Sequence, residues 1–267
     1  MSGHGADSLP AGHGQTMTAH GGEQVVRFST TQRVEHVAVM SLFVLLALTG
    51  FPQKYWDSAV SAPLVQAMGG IAAVRLVHRV CGLAFGALAA IHVGSVVWGA
   101  ITHRIPLSMV PTRQDFVDAI QTLRYYLRLT DQKALFDRFD YREKFEYWGL
   151  LAGGMIMTST GLVLYLPVLT ARYLPAELIP VAKVAHSNEG LLAFLTVIVW
   201  HLYNVHLAPE VFPFNKTIFT GRIDREHMRE HHTLEYRRLF PGEGTADAEP
   251  EPEPETDPGR EPRRPAA

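Results

Sequence analysis

The fold is decided first by residues 80–101, VCGLAFGALAAIHVGSVVWGAI. This stretch carries no Lys, Arg, Asp or Glu, and its polar side chains are those of His92 and Ser95. A helix needs about 20 apolar residues to cross the hydrocarbon core of a bilayer. Further stretches that approach this length are residues 37–55, 147–168 and 190–207. We therefore predict an all-α integral membrane protein whose fold is a four-helix bundle.

The basic residues predict how this bundle is oriented. Of the 24 Lys and Arg residues, nineteen fall in the N-terminal arm, the loop at residues 103–144 and the C-terminal segment, which share one side. The other side carries the remaining five. Because Lys and Arg accumulate in cytoplasmic loops, we expect both termini and the middle loop to lie in the cytoplasm.

The transmembrane domain is expected to occupy residues 27–240, between two disordered ends. Residues 1–26 lack the basic stretch and apolar core of a signal peptide. Residues 241–267 are rich in Pro and acidic side chains, a composition that does not bury a core. Within the middle loop, DFVDAIQTLRYYLRL places Phe116, Ile120 and Leu123 on one helical face, which predicts an amphipathic helix on the cytoplasmic membrane surface.

Several classes of function are excluded by what the sequence lacks. The single cysteine, Cys81, excludes a disulfide framework, and the missing C-x-x-C-H motif excludes covalently attached haem. No phosphate-binding loop, nicotinamide fingerprint or nucleophilic triad is present. A net charge of −2 argues against nucleic-acid binding by the whole chain.

The two halves of the bundle resemble each other. EHVAVMSLFVLLALTG, which begins at Glu35, aligns without a gap with EYWGLLAGGMIMTSTG, which begins at Glu146. HRVCG and HSNEG, which begin at His78 and His186, align in the same way. We interpret this as a duplicated pair of helices.

Four histidines stand in pairs on the second and fourth predicted spans. His78 and His92 are fourteen residues apart, and His186 and His201 are fifteen residues apart. At about 100° and 1.5 Å per residue, each pair shares a face within roughly 60° and is separated by roughly 21–23 Å along its helix. A glycine follows His78 and His186 four residues later, which leaves room for a flat macrocycle. This pattern predicts two stacked b haems, each held by imidazoles from two helices.

The choice of ligands is only partly determined by these positions. His78 and His186 both lie near the outer surface, so they are expected to hold the outer haem. His36, His92 and His201 all lie at the inner level, and three candidates compete for two positions. Helical geometry does not choose between His36 and His92.

Short motifs throughout residues 27–238 resemble a known family. They are RVEHVAVMSLFVLLALTG, HRVCG, HSNEG with WHLYNVH, and TGRIDREHMREHHTLEY. They are similar to the dihaem cytochrome b subunits of respiratory complexes, namely the gamma subunits of formate dehydrogenases and the cytochrome b subunits of nickel–iron hydrogenases and thiosulfate reductases. The resemblance implies that His36 and His201 hold the inner haem and that His78 and His186 hold the outer haem. His92 has no counterpart in that pattern and stays the alternative inner ligand.

The resemblance also implies a function and a location. A chain of this kind passes electrons between a periplasmic iron–sulfur or multihaem cytochrome c partner and quinone in the bacterial inner membrane. Lys144, Glu146 and Tyr147 lie at the cytoplasmic mouth of the third span and are candidates for binding the quinone headgroup, although a simple membrane-edge cluster would look the same. The alternatives are a stand-alone transmembrane haem reductase, and a haem-free anchor or transporter whose histidines carry protons or metal ions.

Overall fold

The computed structural model describes residues 23–209 and 211–243. It is 71% helical, and four of its helices are long and apolar enough to cross a membrane, which confirms the predicted all-α bundle. These helices are α1 (Thr30–Lys54), α3 (Ile71–Ile101), α5 (Tyr141–Tyr165) and a fourth that spans Leu178–Leu207. The fourth begins as α7 (Leu178–Leu195) and continues as two π-helical segments, Thr196–His201 and Tyr203–Leu207.

Shorter elements connect and flank these four helices. They are β1 (Gln24–Val26), α2 (Ser61–Ala67), α4 (Arg113–Tyr126), α6 (Pro167–Tyr173), α8 (Thr217–Thr220), β2 (Arg222–Asp224), α9 (Arg225–His231) and α10 (Thr233–Leu239).

All four spanning helices begin earlier than their predicted apolar stretches, and polar caps start two of them, α1 and α5. Ser29 and Gln32 form a reciprocal capping box at the start of α1. Asp140 and Glu143 do the same for α5, which begins before the predicted start of the third span. Such a box satisfies two backbone N–H groups that the first helical turn leaves without partners.

The helices pack in the order α1, α3, α5, α7 around the bundle. Packing is most extensive between α1 and α3 and between α5 and α7, which are the two helix pairs of the predicted repeat. Long apolar side chains point outward along all four helices, as Val80, Ile91 and Val199 do. An apolar exterior of this kind suggests a lipid bilayer environment and a multi-pass membrane protein.

The predicted amphipathic loop helix is present as α4. A capping box between Thr112 and Asp115 starts it, and Lys144 at the beginning of α5 binds the Asp115 carboxylate at 2.7 Å. Phe116 and Ile120 on its apolar face are 72% and 60% exposed. The helix is therefore tied to the bundle by its polar side and leaves its apolar side free to meet the membrane surface.

A small cap covers the end of the bundle at which the described part of the chain begins and ends, at residues 23 and 243. We define the terminal cap as residues 23–29, 136–140 and 220–243. Its strands β1 and β2 pair antiparallel, so residues Gln24–Val26 belong to this ordered cap rather than to the predicted disordered arm. The remaining arm, residues 1–22, and the tail from residue 244 onward lie outside the described residues.

The cap is held by a buried network of two arginines and one glutamate. Arg27 donates to the Glu235 carboxylate at 2.9 Å, and the two side chains are 3% and 6% exposed. Arg138 lies 3.6 Å from the same carboxylate, and its guanidinium donates to the backbone carbonyl of Arg27. The network joins the segment before α1, the loop before α5 and the segment after the fourth spanning helix.

His232 separates α9 from α10. Its backbone leaves helical geometry, with φ −129° and ψ 49°. The Nδ1 of His232 pairs with the carbonyl of Asp137 at 3.0 Å, and Leu234 N–H donates to the carbonyl of Phe136. These contacts with the middle loop outweigh one further turn of isolated helix.

The cap is expected to lose stability below neutral pH because of His232. Burial and the nearby Arg27 lower the pKa of His232 from 6.5 to about 4. The folded state therefore binds fewer protons than the unfolded state between those values, so its stability is complete above pH 6.5 and falls as the pH drops toward 4. The loss amounts to about 3 kcal/mol at most.

Thermal unfolding of the cap, followed in detergent between pH 7 and 5, measures this effect. His232→Asn keeps a donor for the Asp137 carbonyl but does not titrate. We expect a flatter pH dependence in that variant, and an unchanged slope would contradict the role of His232.

Candidate functional site

Two pairs of histidines face each other inside the bundle. The distal pair joins His78 of α3 to His186 of α7 at the end remote from the termini, with ring centroids 6.2 Å apart. The terminal pair joins His36 of α1 to His201 of the first π-helical segment, also with ring centroids 6.2 Å apart. The four histidines that the family resemblance assigned as ligands thus lie in the two combinations that it implied.

The spacing within each pair fits one metal ion between two imidazoles. Metal–nitrogen bonds of about 2 Å on either side of an ion place the two ring centroids roughly 6 Å apart. Direct hydrogen bonding between two imidazoles would bring the rings closer. Among the described residues no group of three or more His, Cys, Asp or Glu side chains that could hold a metal ion is found. Each pair brings two imidazoles together, and two imidazoles would hold a haem iron whose porphyrin supplied the other ligands.

The distal histidines have their second ring nitrogen occupied by a threonine. Thr49 Oγ1 lies 2.9 Å from His78 Nδ1, and Thr160 Oγ1 lies 3.0 Å from His186 Nδ1. Each threonine hydroxyl donates to a carbonyl of its own helix, at 2.7 Å to Leu45 and 2.6 Å to Ile156. The threonine oxygen must therefore accept from Nδ1–H, which leaves Nε2 of each imidazole unprotonated. This is the tautomer that binds a metal through Nε2.

In the terminal pair, a carboxylate rather than a threonine hydroxyl lies beside Nδ1 of one histidine. Glu146 Oε1 lies 2.5 Å from His201 Nδ1, although the two atoms are not aligned as a hydrogen bond. His36 Nδ1 is buried and has no hydrogen-bond partner among the described residues. A carboxylate behind a ligating imidazole raises its basicity and fixes its orientation.

Glycines shape the space around the distal pair. A Cβ on Gly50 would lie 3.2 Å from Cε1 of His78, and one on Gly161 would lie 3.3 Å from Cε1 of His186. The two glycines singled out from the sequence behave differently. A Cβ on Gly82 or Gly190 would meet a single neighbouring side chain, at 4.0 Å and 3.5 Å, so these positions do not serve close helix packing. They leave the face beside each histidine open, which is what a flat macrocycle requires.

His92, the alternative inner ligand, is engaged elsewhere. Its Nδ1 lies 3.0 Å from Glu35 Oε2, and its Nε2 lies 3.0 Å from the hydroxyl of Tyr147. Both ring nitrogens are thus in hydrogen-bond contact with other side chains. The structure brings His36, and not His92, to His201.

The three candidate quinone residues face different partners. Lys144 binds Asp115 of α4, with the two side chains 11% and 13% exposed. Glu146 approaches His201, and Tyr147 pairs with His92. They do not converge on one pocket.

The internal repeat relates the contacts at the terminal end to one another. In the ungapped alignment of the two halves, Glu35 corresponds to Glu146 and His36 corresponds to Tyr147. The contact between Glu35 and His92 therefore matches the contact between Glu146 and His201.

The same correspondence holds at the distal end. Thr49 and Gly50 of α1 align with Thr160 and Gly161 of α5. Each threonine–glycine pair lies against one distal histidine. The duplicated helices thus supply equivalent support to the two distal imidazoles.

The first π-helical segment explains why the spacing between the paired histidines is one residue longer in the second half than in the first. The spacing from His186 to His201 exceeds the spacing from His78 to His92 by a single residue. A π-helical turn holds one residue more than an α-helical turn, so Thr196–His201 takes up the extra residue. His201 consequently stands at the phase that a fourteen-residue spacing from His186 would give, as His92 does relative to His78.

Sequence reasoning missed the residues behind the histidines. Thr49, Thr160 and Glu35 were part of the aligned repeat but received no role. Their signal was present, because the threonines of LALTG and TSTG align in the same register as the two glutamates. A polar residue retained at equivalent positions of two apolar helices indicates a shared partner in the bundle.

Comparison with known proteins adds no assignment: no protein-family model matches this chain, and no curated protein matches it.

Proposed function

We propose that this chain is a membrane-embedded dihaem cytochrome b subunit, which passes electrons between a periplasmic redox partner and the quinone pool. The observation that carries the proposal is the pair of facing imidazoles at each end of the bundle, both at 6.2 Å. Side-chain oxygens beside Nδ1 of three of these four imidazoles support it, since a proton held on Nδ1 leaves Nε2 available to a metal.

Each haem supplies a one-electron carrier when it is bound. His78 and His186 would hold one through their Nε2 atoms, and His36 and His201 would hold the other. Thr49 and Thr160 keep the distal imidazoles in one tautomer, and Glu146 orients His201.

The predicted orientation assigns a role to each end. With both termini in the cytoplasm of a bacterial inner membrane, the distal pair lies near the periplasm and the terminal pair near the cytoplasm. An iron–sulfur or multihaem cytochrome c partner would then exchange electrons at the distal pair. Quinone would react near the terminal pair. Of the three predicted quinone residues, Lys144 is engaged with α4 and Glu146 with His201, whereas the Tyr147 hydroxyl contacts His92.

A reduced-minus-oxidised absorption spectrum with haem quantification tests the proposal. We expect a b-type spectrum and two haems per purified chain. His36→Ala is expected to lower this to one, because His201 would lose the imidazole opposite it. A chain without a b-type band would refute the proposal, and retention of both haems in His36→Ala would refute the assignment of the terminal pair.

A further inference from the structure

A hydrogen-bonded chain of three ionisable side chains crosses the bundle near its terminal end. It runs from Glu35 of α1 through His92 of α3 to Tyr147 of α5, with both contacts at 3.0 Å. Ionisable groups inside a membrane are costly and invite a functional explanation. The proposed haem ligands include none of these three residues.

In the internal repeat, this hydrogen-bonded trio of Glu35, His92 and Tyr147 corresponds to the terminal pair and Glu146, with one residue type changed. Tyr147 stands where the other half carries His36, and so a phenol faces His92 where an imidazole faces His201. The hydroxyl lies in direct hydrogen-bond contact with Nε2, which leaves no gap for an iron ion. The copy with His36 and His201 thus suits a metal between two rings. The copy with Tyr147 and His92 suits a proton shared between the hydroxyl oxygen and Nε2.

The direction of the hydrogen bonds follows from the carboxylate. When the Glu35 carboxylate accepts from Nδ1–H of His92, Nε2 of His92 is the acceptor. Tyr147 must then donate its hydroxyl proton to Nε2, and its oxygen keeps lone pairs free for a further donor. A group that donates to Tyr147 would pass its proton along the chain, as a general base assisted by a carboxylate does.

We infer that Tyr147 and His92 accept the protons of a quinol headgroup at the terminal end of the bundle. This inference rests on the proposed function and names the proton-transfer residues of its quinone reaction. A quinol becomes a quinone by losing two electrons and two protons. Both electrons would pass singly to a haem held by His36 and His201. Each proton leaves a quinol hydroxyl for the oxygen of Tyr147, while Tyr147 passes its own proton to Nε2 of His92.

In this scheme the proton leaves His92 toward the terminal end of the bundle. The side chains of His92 and Glu35 are 32% and 25% exposed at the surface of the chain, so the neighbouring helices enclose them only in part. His92 returns to its neutral form before the second proton arrives, and quinone reduction uses the same steps in reverse. The groups that face His92 from the neighbouring helices are Glu35 of α1 and Tyr147 of α5. Tyr147 touches the substrate, whereas His92 acts through it and Glu35 orients the imidazole.

The test measures haem reduction by duroquinol in the purified full-length chain in lipid nanodiscs, by stopped flow between pH 6 and 9. Tyr147→Phe and His92→Gln are expected to keep two haems and full reduction by dithionite. We expect their quinol-driven rates to fall at least tenfold, in line with the usual contribution of general acid–base catalysis. The pH dependence and the solvent isotope effect of that rate should also be smaller. Tyr165→Phe, at the opposite end of α5, is the matched control and is expected to retain the rate.

The possible outcomes separate this inference from the proposed function. If the unchanged chain binds two haems and is reduced by duroquinol, but both variants retain its rate and pH profile, the inference is wrong and the function stands. If either variant loses a haem, the residue is structural and the inference is also wrong. A haem-loaded chain that duroquinol does not reduce would overturn the quinone reaction itself, and the inference with it.

Discussion

Replacing His186 with Ala is expected to remove the haem of the distal pair and to leave one b haem per chain. A methyl group cannot ligate iron, and His78 would lose the imidazole that faces it across the bundle. Because His36 and His201 lie about 21–23 Å farther along the helices, their haem should remain. Haem quantification and the α-band of the reduced protein measure both effects. Electron transfer from an external donor at the distal end should stop, while reduction by quinol at the terminal end should continue.

Two comparisons make this result specific. His231→Ala, on the short helix α9, removes an imidazole outside both pairs and is expected to keep two haems. Thr160→Val keeps His186 but removes the oxygen that accepts from its Nδ1. Loss of such a supporting group usually weakens metal binding by about 10–100-fold, so we expect partial haem loss on dilution. Full haem content in His186→Ala would refute the distal assignment.

The sequence predicted the features that depend on local pattern. Four apolar stretches were sufficient to predict the four helices, because length and composition decide membrane insertion. Their starts were predicted too late, since Ser29 and Asp140 begin α1 and α5 in polar sequence. Helical phase placed each pair of histidines on one face, but it could not show which histidine His201 meets.

The choice between His36 and His92 depends on packing between helices. Glu35 occupies Nδ1 of His92 and Tyr147 occupies its Nε2, and both contacts join residues that are distant in the sequence. A periodicity argument treats each helix alone and does not contain this information. The π-helical segment was likewise hidden, because an extra residue shows in the comparison of the two halves but not in local composition.

The terminal cap escaped prediction for a related reason. Arg27 and Glu235 are far apart in the sequence and sit in polar segments that resemble solvated loops. Their burial follows from the tertiary fold, which brings the segment before α1 and the segment after the fourth spanning helix together with the loop before α5. Charge counting had used the same basic residues as evidence of orientation, and one of them proves to be almost fully buried.

Glu235→Ala is expected to destabilise this cap by up to about 3–5 kcal/mol, because it removes the carboxylate that accepts a hydrogen bond from the buried Arg27 guanidinium. Burial lowers the pKa of Arg27, and the carboxylates of Glu143 and Glu235 act in the opposite direction. Arg138 also approaches that carboxylate, so the variant places two like charges near each other with nothing between them. Hydrogen exchange of the β1–β2 amides measures the loss. Glu230→Ala, which removes an exposed carboxylate on α9, is the matched control and should change protection little.

The double variant Arg27→Met/Glu235→Leu distinguishes charge from packing. Replacing a buried ion pair by apolar side chains of similar volume is often neutral, so we expect the double variant to be more stable than Glu235→Ala alone. An equal or larger loss would mean that the guanidinium's hydrogen bond to the Arg138 carbonyl is what the cap requires.

The consequence of Glu235→Ala extends into the membrane. The cap joins the segments that lead into α1 and α5 and out of the fourth spanning helix, and these helices carry His36, Glu146 and His201. A loosened cap should therefore change how these side chains are held. We expect Glu235→Ala to shift the reduction potential of the haem proposed at the terminal pair in a redox titration. The reduction potential of the haem proposed at the distal pair should not change. Equal shifts at both haems would show instead that the variant disturbs the whole bundle.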